Sequence, residues 1–340
     1  MTLITRSFAD KHVVFIVFIL VIRGEEMDEI ESAGRNTMLR RVDCADVALR
    51  KKQIRHKNLE VWVIIVPVLA YYLVFNVVPL IAVFIISLFE WNGISGKPLF
   101  VGLENFRTLI VQDVYINAFR QTAYIGGIGM FASMTFGFFI ALLLNLNIKG
   151  RGLFRTLWYL PVVTSYAIVS QMFTVMLNPM DGVFNKIAIK LGCEPIIWQN
   201  STFWMVFWIT VFGLWKGVGG TVVLFLAGLQ SIDPSLYEAA DIDGANGFHK
   251  MLRITIPLLK PITAFVFVTG IIGVFQLFDP IYFLTKGRPN GATNVIVYQL
   301  YKDAFVDFNM GVAGAVSVVI LIVVFSLSLY SLKLTRTAVK

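Results

Sequence analysis

The sequence predicts an all-α integral membrane protein with six membrane-spanning helices. Of the 340 residues, 57% are hydrophobic and only 15% are charged, and the mean hydropathy is +0.75. Soluble domains are roughly half apolar and about a quarter charged. About 20 apolar residues in a helix cross the roughly 30 Å of a bilayer's hydrocarbon, and several stretches of this chain are long enough.

The six predicted spans are residues 61–89, 121–146, 154–177, 203–229, 262–284 and 310–332. The first span contains Pro67 and Pro79 and ends at Phe89 and Trp91, aromatic residues of the kind enriched at membrane interfaces. Because the number of spans is even, both termini lie on the same side of the membrane.

Basic residues indicate which side that is. They precede the first span, fill the second and fourth connections and end the chain: Arg40, Arg41, Arg50, Lys51, Lys52, Arg55, Lys57, Lys149, Arg151, Arg155, His249, Lys250, Arg253, Lys260, Lys333, Arg336 and Lys340. The positive-inside rule places these regions, and both termini, in the cytoplasm. Orientation in the membrane therefore accounts for the net charge of +8, and no nucleic-acid partner is expected.

The first part of the chain is predicted to be a tail. Residues 13–22 are apolar for too short a stretch to span, and they resemble a signal-peptide core without a small-residue cleavage site. We expect residues 1–57 to form a cytoplasmic tail, in which residues 1–26 are either native or an extension upstream of a start at Met27 or Met38. Residues 58–340 then form the transmembrane domain, with its core at about 118–334.

Clusters of catalytic or metal-binding residues are not evident in the sequence. The two cysteines, Cys44 and Cys193, fit neither a disulfide framework nor a zinc site, and the three histidines are scattered. No GxxxxGK[ST] phosphate loop occurs either. We therefore expect no catalytic residue, no metal and no cofactor in this chain.

The connection between the fourth and fifth spans, residues 231–257, predicts two short helices. Asp233 is a favourable N-cap, and Pro234 occupies the first helical position. Gly244 can adopt the left-handed conformation that ends the first helix, and Pro257 interrupts the apolar spacing of the second. Such a helix pair suits close docking against another protein, while an interfacial linker lying on lipid is the alternative.

This loop resembles the "EAA" loop of binding-protein-dependent ABC importer permeases. The matching positions are Glu238, Ala239, Ala240, Gly244, Ile254, Ile256 and Pro257. Ile256 stands where the pattern usually has Leu, which keeps an apolar contact. The resemblance covers residues 59–334, and segments 213–217, 226–234 and 278–285 are similar to the carbohydrate branch of the family.

The resemblance implies a type I ABC importer transmembrane domain in a bacterial cell (inner) membrane. It implies a second homologous permease, an extracellular sugar-binding protein and a dimer of ABC ATPases that binds ATP and Mg and docks on the helix pair. The sequence departs from the family at Lys286-Gly-Arg288-Pro289, where related permeases commonly have a Gly-rich turn ending in Gly-Gly-Pro. That departure leaves the detail of the outer loop open.

Polar and aromatic residues inside the spans are candidates for the substrate pathway. They are Trp215, Lys216, Gly217, Gln276, Asp279 and Tyr282. Amide, carboxylate and aromatic groups suit sugar hydroxyls and apolar sugar faces, and the last three residues are spaced one helical turn apart. In the alternative interpretation, Gly213, Gly217 and Gly220 permit close helix packing, while Lys216 and Asp279 hold helices together.

Two other function classes compete with an importer permease. A secondary transporter for a small polar solute would usually show paired internal repeats and a coupling acid near the midplane. The sequence shows no clear repeat and no second acid that pairs with Asp279. A membrane-embedded enzyme would need clustered His, Asp, Glu or Cys residues, and the sequence has no such cluster.

Overall fold

The structure is a computed structural model, and it describes residues 62–63, 65–94, 96–146 and 149–338. The expectations for residues 1–57, which include the two alternative starts and Cys44, lie outside the described residues. The chain divides into two compact units, residues 1–82 and 83–340.

Most of the described chain is helical. The helices are α1 (Ile65–Ile86), α2 (Glu104–Val111), α3 (Asp113–Asn145), α4 (Arg151–Val163), α5 (Tyr166–Met176), α6 (Val183–Lys190), α7 (Thr202–Gln230), α8 (Pro234–Ile242), α9 (Gly247–Leu258), α10 (Lys260–Val274), α11 (Ile296–Phe305) and α12 (Met310–Ala338). Two short strands, β1 (Phe89–Glu90) and β2 (Leu99–Phe100), form an antiparallel pair.

Within the described residues, four helices are long and apolar enough to cross a membrane, namely α1, α3, α7 and α12. Two pairs of helices pass the same test together but are bent, by 93° between α4 and α5 and by 62° between α9 and α10. Counting each bent pair as one span gives six spans, in agreement with the sequence prediction.

The first span ends earlier than predicted, at Ile86. Asn105 binds the chain beyond this point, because its Nδ2 donates to the carbonyl oxygens of Ser87 at 2.8 Å and Phe89 at 3.0 Å. The Ser87 hydroxyl also donates to the Phe84 carbonyl at 2.7 Å. These bonds satisfy backbone carbonyls that have no partner within the helix. The chain can therefore leave the helical conformation here, and Phe89 lies in β1.

The second span begins earlier than predicted, at Asp113. Its first residues mix polar side chains with apolar ones, so a hydropathy pattern does not detect them. This beginning is joined to the apolar remainder by the π-helical turn Thr122–Gly126. The Thr122 hydroxyl accepts from the backbone N–H of Ile296 at 2.8 Å, which fixes α3 against α11. Further π-helical turns lie at Leu73–Val77, Met251–Thr255 and Ile281–Thr285.

The third predicted span is not one continuous helix. It is broken at Thr164 and Ser165, between α4 and α5. Pro161 lacks the N–H that would bond one turn back, and the Thr164 hydroxyl donates to the Pro161 carbonyl at 2.6 Å. The break is therefore stabilised locally by a side chain.

The fifth span also differs from the prediction, because α10 ends at Val274. Gln276 lies in the turn that follows, and Asp279 precedes the π-helical turn Ile281–Thr285. The expectation that Gln276, Asp279 and Tyr282 share one helix is therefore wrong. Pro280 has no N–H to donate to the Gln276 carbonyl, which instead accepts from the N–H of Phe278 at 2.8 Å.

Within residues 83–340, helix α7 occupies the centre and packs against α3, α4 and α10. Close approach occurs at Gly219, where an added Cβ would overlap the Trp158 carbonyl oxygen, and at Gly137, where it would lie 2.6 Å from Thr221. No described residue lies within 4 Å of an added Cβ at Gly213, Gly217 or Gly220. The alternative interpretation, that these three glycines permit close helix packing, is therefore wrong for contacts within the described chain.

A chain of buried polar side chains runs along α11. Asn294 Nδ2 donates to Gln299 Oε1 at 2.9 Å, and Gln299 Nε2 donates to Asp303 Oδ1 at 2.7 Å. Burial raises the pKa of Asp303 to about 6, although the Gln299 hydrogen bond opposes the shift. A carboxyl group removed from water favours its neutral form, so Asp303 loses its proton at a higher pH than an exposed aspartate.

Candidate functional site

The two helices expected between the fourth and fifth spans are α8 and α9, and both begin with a side-chain cap. The Asp233 carboxylate accepts from the N–H of Ser235 at 2.9 Å, with Pro234 at the first helical position. This hydrogen bond lowers the pKa of Asp233. At the start of α9, Asn246 Oδ1 accepts from the N–H of His249 at 2.9 Å. Both helix starts are thus fixed by local residues.

Gly244 separates the two helices in the predicted left-handed conformation, with φ of +76°. The N–H of Gly244 donates to the Asp241 carbonyl at 3.0 Å, and the N–H of Ala245 donates to the Ala240 carbonyl at 2.9 Å. These bonds satisfy carbonyls at the end of α8. Most side chains would be strained at this φ, so glycine is favoured here.

Side chains also tie α8 to α9. Tyr237 and Thr255 are joined through their hydroxyls at 2.9 Å, and Asp241 and Lys250 form an ion pair. Helix α9 continues one residue past Pro257 before the 62° bend into α10. The π-helical turn Met251–Thr255 precedes Pro257, and the bend follows two residues after it, at Leu259.

The outer surface of this helix pair is exposed and partly apolar. Glu238 and Ala239 are exposed, and Ala240 is half-buried. Large apolar side chains are exposed around them: Leu236, Ile242, Phe248 and Leu252. Beneath this surface, the buried residues Ile232 and Leu259 belong to the core of α7 and α10. The pair therefore exposes a partly apolar surface that is packed directly onto membrane-spanning helices.

Lys216 lies 2% exposed in α7 and binds the break between α4 and α5. Its Nζ donates to the carbonyl oxygens of Pro161 at 2.8 Å and Val162 at 2.9 Å, and lies 4.4 Å from the centre of the Tyr166 ring. Asp279 interacts electrostatically with Lys216. An ammonium group at the C-terminal end of α4 stabilises the free carbonyls there.

The other candidate pathway residues are spread over several environments. Trp215 is 43% exposed, Gly217 and Gln276 are exposed, and Asp279 and Tyr282 are half-buried. Lys216 and Asp279 are near enough to interact electrostatically but form no ion pair among the described residues, whereas Trp215 and Gly217 are exposed beside the buried Lys216.

Tyr282 lines a cavity of about 440 Å³ between α5 and the π-helical turn Ile281–Thr285. The rest of the lining combines polar and basic residues with three apolar ones: Gln171, Thr174, Gln199, Thr285, Lys286 and Arg288, with Met205, Phe283 and Leu284. Lys286 and Arg288 are not among the pathway residues predicted from the sequence. The signal that could have identified them is their position in a turn that is Gly-rich in related permeases.

Comparison with known proteins assigns the chain to a family. Residues 133–334 match the family described as binding-protein-dependent transport system inner membrane component. The arabinooligosaccharides transport system permease protein AraP of Bacillus subtilis (strain 168) is 34% identical over 79% of this chain and 86% of its own length. The trehalose/maltose transport system permease protein MalF of Thermococcus litoralis is 35% identical over 81% of this chain and 93% of its own.

A solved structure shares the fold. It is a bacterial ABC transporter involved in the import of the acidic polysaccharide alginate, with a TM-score of 0.75 and 23% identity, covering 86% of this chain and all of the matched chain. These relatives are permease subunits, so this chain is a transport subunit and not an enzyme. The alternative of a secondary transporter is thereby excluded. This chain belongs to the family of binding-protein-dependent transport system inner membrane components.

Proposed function

We propose that this chain is the transmembrane permease subunit of an ATP-driven importer for a sugar or an oligosaccharide. The observation that carries the proposal is the cargo of its relatives, since AraP is named for arabinooligosaccharides and MalF for trehalose and maltose. Exposed aromatic and amide side chains at Trp215 and Gln276 support it, because such groups bind sugar faces and hydroxyls.

The exposed surface of α8 and α9 is the proposed docking site for a separate ATPase dimer, which binds ATP and Mg. Six residues form the coupling set: Glu238, Ala239, Ala240, Gly244, Ile254 and Pro257. Glu238 contributes a docking charge, while the caps and the glycine turn hold the two helices rigid. Because Ile232 and Leu259 connect this surface to α7 and α10, closure of the ATPases moves the spans.

The proposed substrate pathway is completed by other subunits. Trp215, Gly217, Gln276 and Tyr282 face the sugar, and Lys216 with Asp279 supports the broken span beside them. A second homologous permease supplies the facing half, and an extracellular binding protein delivers the cargo. This partner is supported by the alginate transporter, solved with a periplasmic protein bound to an alginate pentasaccharide. Both termini then lie in the cytoplasm.

The assembled importer in lipid nanodiscs provides the test. ATP hydrolysis should increase when sugar-loaded binding protein is added, whereas this chain purified alone should not hydrolyse ATP. Glu238→Lys should reduce both co-purification of the ATPase and stimulated hydrolysis. Glu194→Lys, which reverses another exposed carboxylate away from α8 and α9, is the matched control.

Two results would contradict the proposal. Sustained ATP hydrolysis by the isolated chain would contradict the proposal that a separate subunit hydrolyses ATP. An assembled complex that hydrolyses ATP equally with every sugar-loaded and sugar-free binding protein would contradict the sugar assignment.

A further inference from the structure

The cavity beside Tyr282 carries two cationic side chains and no acidic one among the described residues that line it. Lys286 and Arg288 are both exposed at its edge. Neither forms an ion pair with a described Asp or Glu residue. The cavity therefore has a positive potential that no neighbouring carboxylate within ion-pair distance neutralises.

The backbone that carries these two cations is held in place by buried threonines. The N–H of Arg288 donates to the Thr285 carbonyl at 2.9 Å, and the Thr293 hydroxyl donates to the Arg288 carbonyl at 2.6 Å. Thr293 and Thr285 also share a hydroxyl hydrogen bond of 2.8 Å. Local hydrogen bonds therefore fix the backbone positions from which the two cationic side chains project.

The shape and the remaining lining fit a saccharide. A volume of about 440 Å³ is typical of small-molecule sites, which range from about 300 to 1,000 Å³. Gln171, Thr174 and Gln199 offer amide and hydroxyl groups for sugar hydroxyls, and Tyr282 offers an aromatic surface. A concave site of this kind suits a small ligand better than the surface of a folded partner.

We propose that this cavity binds the anionic group of the imported sugar, a carboxylate or a phosphate, so that the cargo is an acidic saccharide. Arg288 supplies the planar fork that binds either group through paired hydrogen bonds, and Lys286 adds a point charge. The inference rests on the proposed function, because it assumes that the cargo is a sugar. It goes further by assigning the charge of that sugar.

The test measures binding of three labelled probes to the assembled complex in nanodiscs by equilibrium dialysis. Tri-galacturonate carries carboxylates, glucose 6-phosphate carries a phosphate, and maltotriose is neutral. At least one anionic probe should bind about tenfold more tightly than maltotriose, as expected for one added charge-assisted hydrogen bond. The probe that binds more tightly distinguishes a carboxylate ligand from a phosphate ligand.

Variants then locate the binding site. Arg288→Gln and Lys286→Gln should each reduce the affinity for the anionic probe about tenfold while leaving maltotriose binding unchanged. Arg288→Lys keeps the charge and should retain part of the preference. Lys190→Gln removes an exposed cation that does not line the cavity and should change nothing.

Three outcomes would overturn the inference: equal binding of all three probes, no binding of either anionic probe, or an equal loss for all probes in the Gln variants. The last result would identify a docking contact rather than a cargo site. Stimulation of ATP hydrolysis by sugar-loaded binding protein is measured on the same complex. If that stimulation persists without anion preference, the proposed function stands and only this inference fails.

Discussion

Replacing Gly219 by alanine tests the close approach of α7 and α4. The added Cβ would overlap the backbone carbonyl oxygen of Trp158 and lie 3.0 Å from Val162 Cγ2. A carbonyl inside a helix cannot rotate away, so the two helices must separate. Separation would also stretch the hydrogen bonds from Lys216 to the end of α4, which measure 2.8 and 2.9 Å.

The matched control is Gly220→Ala, since no described residue lies within 4 Å of a Cβ there. Replacing glycine by alanine inside a helix stabilises by about 0.5–1 kcal/mol, a gain that both variants share. Only Gly219→Ala meets the overpacking cost of about 1–3 kcal/mol. The two variants should therefore differ by about 2 kcal/mol in the free energy of unfolding.

The assay is thermal unfolding of the detergent-solubilised chain, followed by tryptophan fluorescence. The unfolding entropy is about 2.1 cal/mol/K per residue, so in a chain of 340 residues each kcal/mol shifts the Tm by about 1.4 °C. The Tm of Gly219→Ala should therefore lie about 3 °C below that of Gly220→Ala. Equal Tm values, or a higher value for Gly219→Ala, would show that α4 does not approach α7 at this point.

Three further predictions concern other sites. Lys216→Met leaves the Val162 carbonyl without a donor among the described residues, and should destabilise the chain by about 2 kcal/mol in denaturant titration. Gly244→Val should lower the free energy of unfolding by about 1–3 kcal/mol through backbone strain, and it should reduce co-purification of the ATPase. Gly247→Ala, at a position without positive φ, should change neither quantity. Because folding raises the pKa of Asp303, the protonated carboxyl stabilises the folded state, and this stabilisation is complete below about pH 4. It is lost as the pH rises through about 6 and the carboxyl ionises. The Tm should accordingly fall between pH 4 and pH 7, and Asp303→Asn should reduce that fall.

The docking helices were predictable in detail because their signals are local. Asp233 and Pro234 at the start of α8, and Gly244 at its end, act on backbone groups within a few residues. Capping residues therefore identify helix ends without knowledge of the rest of the fold. The fourth and sixth spans were also placed within one residue at each end of the candidate span, since each is a single long helix of mainly apolar residues.

The broken spans were not predictable from hydropathy. Hydropathy averaged over a stretch of residues depends only on composition. Whether a helix can break within the membrane depends on whether the backbone carbonyls that lose their helical partners find other hydrogen-bond donors. For the third span the donor is Lys216, 54 residues away from Val162 in the chain. Which glycine approaches a neighbour likewise depends on helix rotation: sequence spacing selected Gly220, whereas the close approach is at Gly219.

The π-helical turn Thr122–Gly126 also affects how related sequences are aligned. It holds one residue more than an α-helical turn, so the residues before it are rotated by about 100° relative to those after it. Removing one residue at this turn would leave a regular, fully bonded helix of nearly the same length. It would, however, rotate the buried side chain of Tyr115 away from Ile296. A one-residue gap here between two family members would therefore mark a different helix face meeting α11, without any change in the number of spans.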